Sequence, residues 1–226
     1  KVLATLAPAG LGEPWRPLLS ILAILSILFG NVVALAQRDL KRMLAYSGIA
    51  QMGYVAIGLA TFDEAALEGN LVFLAAYLAT NIAAFLAVGA LSNGEKEPHP
   101  LADLAGMGRQ RPFESSVLTL AMLSLTGLPP TVGFIGKLFV FRAAVDAGLF
   151  TLVFVGIFGS LISAGYYLRV VYYLWMKEPS REVDLPQEDV LSGAAFILVS
   201  AVMLVLGVFP RPLLEMARAA ARSFPL

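Results

Sequence analysis

A lysine stands inside an apolar run that also contains a break. Residues 123–141 read LSLTGLPPTVGFIGKLFVF, with Gly127, Pro129 and Pro130 interrupting the run and Lys137 in its second half. Proline has no N–H to donate and its ring clashes with the preceding turn, so one continuous helix is not expected here. An ammonium at mid-membrane costs roughly 2.5–3.5 kcal/mol even on the lenient insertion scale, so such a residue reads as functional by default. Taking it out of water favours the neutral amine, which makes Lys137 a candidate for loading and releasing a proton. Ser124, Thr126 and Thr131 surround the break, where they and the freed carbonyls can hold water. Broken helices beside an ionisable group are a usual construction for ion sites in transporters. The competing reading sends Lys137 outward to the interface and reduces Pro129 and Pro130 to a kink. Gly133 and Gly136, which clear space beside the lysine, favour the enclosed one.

Other polar residues fall at helical spacing on apolar segments. Ser47, Gln51 and Tyr54 stand at i, i+4 and i+7 of RMLAYSGIAQMGYVAIGLATF. Tyr77 and Asn81 are four apart, with Thr80 beside them, and Gly156, Ser160, Ser163 and Tyr167 share one stripe. Polar stripes on membrane helices face protein or water rather than lipid. Two readings follow, a polar path for protons and interhelical hydrogen bonding, the latter worth only about 0.6 kcal/mol per contact. Gln51 does not titrate and can only orient water. Tyr166, Tyr167, Tyr172, Tyr173 and Trp175 crowd one segment end, as an interfacial aromatic belt does, with Arg169 among them reaching for the surface.

The elements that must carry these residues are membrane helices. The chain has 226 residues, 58% hydrophobic and 14% charged, where globular domains average about 25% charged. A spanning helix needs about 20 mostly apolar residues. Six segments qualify: 17–36, 42–62, 70–92, 115–145 (broken near 127–131), 149–176 and 190–209. The expected fold is an all-α polytopic bundle forming one integral domain. Ser26 and Gly30, four apart, suit close helix packing. Residues 93–114 are rich in glycine and proline and read as a polar loop. Asp63, Glu64 and Glu68 make an acidic, solvent-facing loop. Beyond Pro210, Arg211, Glu215, Arg218 and Arg222 share one helical face and Leu214, Ala217 and Ala221 another. The tail 211–224 therefore reads as an amphipathic helix in the interface or docked on a partner.

With Lys+Arg and Asp+Glu both at 16, net charge is zero and nothing points to nucleic acid. Without cysteine there is no disulfide, thiolate-held cluster or Cys-ligated zinc. His99, flanked by prolines, reads as a loop residue rather than a metal ligand. No dinucleotide fingerprint or Walker loop occurs. If the helices alternate, the loops at 37–41, 93–114 and 177–189, with Arg42 at a helix edge, hold eight basic residues against six opposite, or three without the tail. The positive-inside rule puts those loops in the cytoplasm and the C-terminus outside. The apolar start, Lys1–Ala7, reads as the end of an upstream helix in a longer protein.

LTGLPPTVGFIGK (125–137) resembles the broken-helix signature of the antiporter-like membrane subunits of respiratory complex I and of the multi-subunit Na+/H+ antiporters. LKRMLAYSGIAQMGY (40–54) resembles a second block of that family, and YYLRVVYYLW (166–175) the subunit N branch. The resemblance implies a proton-translocating subunit of a bacterial inner-membrane NADH–quinone oxidoreductase. Its partners would be other membrane-arm subunits and lipid. NADH, FMN, iron–sulfur clusters and quinone would belong to partner subunits and none to this chain. It matches Lys137 to the family's lysine on the second repeat's broken helix, with first-repeat residues preceding Lys1. Two departures stand out: Gln51 where the block often has histidine, and Tyr77, Thr80 and Asn81 where sister subunits carry a titratable group. A Na+/H+ antiporter subunit and a non-pumping scaffold are the alternatives.

Overall fold

The computed structural model describes residues 12–91, 100–179 and 190–223. Lys1, Lys96, His99 and Arg181 lie outside the described residues. Nine α-helices and one short 3-10 turn make up the regular structure there, apart from a single bridge between Asp39 and Pro100. In order they are α1 (Gly12–Ala36), α2 (Leu40–Leu59), α3 (Glu64–Ala90), the 3-10 turn Leu101–Leu104, α4 (Met107–Gln110), α5 (Pro112–Thr126), α6 (Val132–Asp146), α7 (Phe150–Met176), α8 (Val190–Val208) and α9 (Arg211–Arg222). The protein is an all-helical membrane bundle with one discontinuous helix.

Stretches within α1, α3 and α7 (Pro14–Ala36, Ala66–Ala90 and Phe150–Met176) are each long and apolar enough to cross a membrane. Leu25, Phe29, Leu78, Phe154 and Leu161 stand exposed on them, a cost in water and none in hydrocarbon. α2 is 20 residues long but opens on Lys41 and Arg42. α5 and α6, at 15 residues each, are about 22 Å long and bridge a bilayer only as one broken unit.

Local chemistry sets the helix ends that matter. The Asp39 carboxylate caps α2 by accepting from the Arg42 N–H at 2.8 Å. Pro112 begins α5, where its missing N–H costs nothing. α5 stops at Gly127, which adopts φ 88° and ψ 45°, a left-handed conformation that glycine takes without strain. The Leu128 and Gly127 N–H groups fold back onto the Leu123 carbonyl at 3.1 Å each, a Schellman-type end. Pro129 and Pro130, joined by a cis peptide, follow, and α6 restarts after Thr131.

α6 packs against α2, α3, α7 and α8, while α5 packs against α3, α7 and α8. One apolar cluster gathers α3, α5 and α7, another α1, α2 and α6, and Tyr77 packs against both. Gly30 of α1 closes on the α2 backbone at Tyr46 and Ala50, the close approach its spacing implied.

One region differs from the expectation and a second adds to it. Residues 100–111 are no solvated loop, because Leu101, Leu104 and Met107 are buried and the Gly106 N–H reaches the Tyr173 carbonyl at 3.1 Å. Glycine and proline set the turns there, while the apolar residues between them decide burial. In α9 the tail uses its face within the chain: Leu213, Ala217 and Ala221 are buried, and Arg218 pairs with Glu68 of α3 at 2.9 Å. Glu68, 17% exposed, thus sits in a helix and an ion pair rather than in an open acidic loop.

Candidate functional site

The C-terminal end of α5 exposes carbonyls that the helix cannot use, and a buried helix end needs partners for them. The Met122 carbonyl accepts from the Thr126 hydroxyl at 2.8 Å, and those of Leu123 and Ser124 take the Gly127 and Leu128 N–H groups. The last two, of Leu125 and Thr126, accept from Lys137 Nζ at 3.0 and 2.9 Å. The lysine is 5% exposed and reaches back from the second turn of α6 across the break. Its third donor meets Ser160 Oγ of α7 at 3.3 Å, and the Tyr54 ring lies 4.7 Å away on another side. All three N–H groups of the ammonium are therefore engaged. The negative end of the α5 dipole adds to the attraction.

The outward-reaching alternative fails on this geometry, since Nζ is drawn into the break. The reason lies in other glycines than expected. A Cβ on Gly133 would run into the Ser124 carbonyl, and one on Gly136 would approach the α3 backbone at Phe73 within 2.9 Å. Those two bring helices together, whereas Gly127 makes room for the lysine: a Cβ there would stand 2.9 Å from Lys137 Cδ.

Around this centre the polar residues divide. Gln51 Nε2 also donates to the Leu125 carbonyl, at 3.2 Å, and approaches the Tyr167 hydroxyl at 3.4 Å. The Tyr54 hydroxyl lies 2.9 Å from Ser160 Oγ and 3.1 Å from the Gly156 carbonyl. Ser124 Oγ bonds the Thr80 hydroxyl at 2.9 Å and accepts from the Gly133 N–H at 3.2 Å, tying α3, α5 and α6 together. Thr126 holds the lysine through its carbonyl, not its hydroxyl. Thr131 closes the turn by bonding the Leu128 carbonyl at 2.7 Å. A cavity of about 10 Å³ lies between Gln51, Tyr77, Thr80, Ser124 and Lys137, room for about one water among several polar groups.

Three residues stay clear of the lysine itself, although Ser47 also reaches Tyr167. Ser47, Asn81 and Ser163 turn their side chains onto carbonyls of their own helices, at Leu44, Tyr77 and Ser160. On α3 it is Thr80, not Asn81, that lines the cavity with Tyr77.

Sequence reasoning misread one group and missed another. Tyr166 and Tyr167 are buried, 0% exposed, so they belong to the interior and not to an aromatic belt. Tyr166 donates to Asn31 of α1 at 2.9 Å, a buried polar residue that nothing singled out. The one signal was an asparagine alone in an apolar helix. Arg169 caps α1 instead of reaching for open surface, donating to the Leu35 and Gln37 carbonyls at 3.1 and 2.7 Å. Glu114, also missed, is buried at the start of α5 and pairs with Arg111 at 2.9 Å.

The site is thus a buried lysine held by the carbonyl end of a broken helix in a bundle of apolar membrane helices. The chain belongs to the family described as NADH:quinone oxidoreductase/Mrp antiporter, transmembrane, whose model matches residues 2–163. It is 41% identical over 229 residues to NAD(P)H-quinone oxidoreductase subunit 2 of Gloeobacter violaceus, covering 98% of this chain and 44% of that protein. It is 37% identical over 214 residues to NADH-quinone oxidoreductase subunit N of Heliobacterium modesticaldum, covering 94% and 44%. Among solved structures it matches a chain of respiratory complex I from Thermus thermophilus with bound aureothin. That match has 36% identity and a TM-score of 0.75, over 88% of this chain and 45% of the other. A chain of the Mrp complex from Dietzia, at 22% identity and a TM-score of 0.82 over 95% and 48%, shares the fold. The chain thus spans under half the length of the curated relatives it matches.

Proposed function

We propose that this chain supplies a proton-translocating half of a membrane-arm subunit of NADH–quinone oxidoreductase, with Lys137 as the proton carrier. The observation that carries the reading is the enclosure of Lys137 Nζ by two orphan carbonyls and a hydroxyl at the end of a broken helix. A cation held by neutral dipoles in a low-dielectric interior is poised for exchange, because among the described residues no carboxylate locks it in the charged state. Gly127, Pro129, Pro130 and Thr131 shape the break that exposes those carbonyls. Ser124, Gln51, Tyr54, Tyr77, Thr80 and Ser160 are the polar groups by which a proton approaches or leaves. Electron transfer belongs to partner subunits that hold NADH, FMN, iron–sulfur clusters and quinone. Redox-driven rearrangement reaches this chain as a change in the hydration and charge around Lys137. The setting is the bacterial inner membrane, with the loop at 37–41 cytoplasmic and the C-terminus outside, a reading that the distribution of basic residues supports.

The family description covers a second reading, a subunit of a multi-subunit cation/proton antiporter with no redox partner. The quinone oxidoreductase names of the relatives favour the first. The test compares the native complex with Lys137→Ala, after assembly is verified, for NADH-driven quinone reduction and proton uptake into vesicles. Both rates are expected to fall together by at least about a hundredfold, the low end of what one proton-transfer group contributes. Wild-type rates in the variant would make this subunit a scaffold. Absence of flavin and iron–sulfur subunits from the purified complex would select the antiporter.

A further inference from the structure

The three partners of Lys137 are not equivalent. The Leu125 and Thr126 carbonyls can only accept, whereas Ser160 Oγ can accept or donate. An ammonium has three N–H groups and uses all three partners as acceptors. A neutral amine has two N–H groups and one lone pair. It can keep both carbonyls and take the Ser160 hydroxyl proton on the lone pair, without moving.

Reversing Ser160 requires a second group that can reverse with it. That group is Tyr54, whose hydroxyl lies 2.9 Å from Ser160 Oγ, with either atom able to donate, and 3.1 Å from the Gly156 carbonyl. With the ammonium, Ser160 accepts from Nζ and donates to Tyr54, and Tyr54 donates to Gly156. With the amine, Tyr54 donates to Ser160 and Ser160 to Nζ. The Gly156 carbonyl loses nothing essential, since it sits within α7 and keeps its helical partner. The Tyr54 hydroxyl is enclosed in protein, with the residue 1% exposed, while Ser160 is half-buried.

We infer that the Ser160–Tyr54 hydroxyl pair is a reversible positioning device that holds Lys137 Nζ in one place in both of its charge states. The inference rests on the proton-carrier reading of Lys137. No bond to carbon forms or breaks: a turn about Cε–Nζ presents one N–H to the cavity, that proton leaves to or joins from water there, the turn back puts the lone pair toward Ser160, and two hydroxyl protons rotate. The cavity lined by Gln51, Tyr77, Thr80 and Ser124 is on that side, so exchange with water and satisfaction of the lone pair occupy different faces of the amine.

The pair also stands apart from other ionisable groups. Among the described residues, the titratable side chains at the site are Tyr54 on α2, Tyr77 on α3 and, through Gln51, Tyr167 on α7 with Tyr166 packed against it. α8 carries none, Glu114 is at the far end of α5, and Arg142 and Asp146 are at the far end of α6.

The test measures NADH-driven proton uptake across a pH series in vesicles that hold the assembled complex with the full-length subunit. It compares Ser160→Ala, Ser160→Thr and Tyr54→Phe with Lys137→Ala, and with Ser116→Ala, an exposed hydroxyl on α5, as control. Ser160→Ala is expected to lower uptake roughly fivefold, the factor of one ordinary hydrogen bond. It should also shift the pH of half-maximal uptake by at least about half a unit. Ser160→Thr, which keeps a hydroxyl, should restore both. Tyr54→Phe keeps the ring and loses the hydroxyl, and should give a smaller loss with the same direction of shift. It carries the test alone if Ser160→Ala prevents assembly. Wild-type rate and pH profile in Ser160→Ala or Tyr54→Phe, with uptake lost in Lys137→Ala, would overturn the inference and leave the functional reading intact. Full uptake in Lys137→Ala would remove both. A loss of rate with an unchanged pH profile would reduce the pair to packing.

Discussion

At the scale of single residues, the site depends on how orphan backbone groups are satisfied. Lys137 takes two carbonyls that α5 cannot use, and Gly127 makes the approach possible. Gly127→Ala therefore combines two penalties: a left-handed φ of 88° for a residue with a Cβ, and a contact with Lys137 Cδ at 2.9 Å. The left-handed conformation alone costs about 1–2 kcal/mol. We expect a lower melting temperature for the detergent-solubilised subunit together with impaired proton uptake. A substitution that lowered stability but left uptake intact would mean that the lysine adjusts without its perch. Gln51→Ala tests the other donor on the Leu125 carbonyl. Because Lys137 still satisfies that carbonyl, the loss should be modest, about 1 kcal/mol in thermal unfolding.

At the scale of elements, the break is held in place by what presses on it. Ser124 links α3, α5 and α6 through one hydroxyl. From the other side Gly207 of α8 lies against Pro130 and Thr131, so close that any Cβ would collide with the Pro130 carbonyl. Gly207→Val should force α8 from the break and lower stability by about 1–3 kcal/mol, the usual range for overpacking. It should also cut proton uptake, although the substituted residue touches no polar group of the site. Unfolding midpoints and uptake measured on the same preparation check this, and unchanged uptake would show that the break holds its shape without α8.

At the scale of the whole molecule, the bundle places apolar surface outward and one set of its polar residues around a single buried lysine. α9 turns 84° from α8 and packs against α3, fastened by Arg218 and Glu68. That pair is partly exposed, 56% and 17%, so Arg218→Gln should cost at most about 1 kcal/mol. The buried Leu213 and Ala217 hold the tail more firmly. Orientation is testable because the chain contains no cysteine. Single substitutions Arg38→Cys and Ser223→Cys should react with a membrane-impermeant thiol reagent from opposite sides of the bilayer, Ser223→Cys from outside. Labelling of both from one side would invalidate the assignment of the C-terminus.

The sequence by itself determined the helical membrane class, the position of the break and the lysine that lies beside it. These depend on chain-local physics: proline and glycine end helices wherever they stand, apolar runs of sufficient length demand lipid, and a charge among them needs a reason. Residues 115–145 were expected to break near 127–131, and α5 and α6 part there. Tertiary structure alone decided which neighbours the lysine has. Helical spacing puts Ser47 on one stripe with Gln51 and Tyr54, and Asn81 on one with Tyr77, but it does not say which stripe turns toward the break. α2 presents Gln51 and Tyr54 while Ser47 bonds within its helix. α3 presents Thr80 and Tyr77 while Asn81 bonds within its own. Tyr166 and Tyr167 look interfacial in a sequence because tyrosine suits interfaces. They are buried because α1 and α2 offer Asn31 and Gln51 as partners for their hydroxyls. A hydrogen bond between helices has no local signature, since both partners are ordinary residues until packing brings them within 3 Å or so.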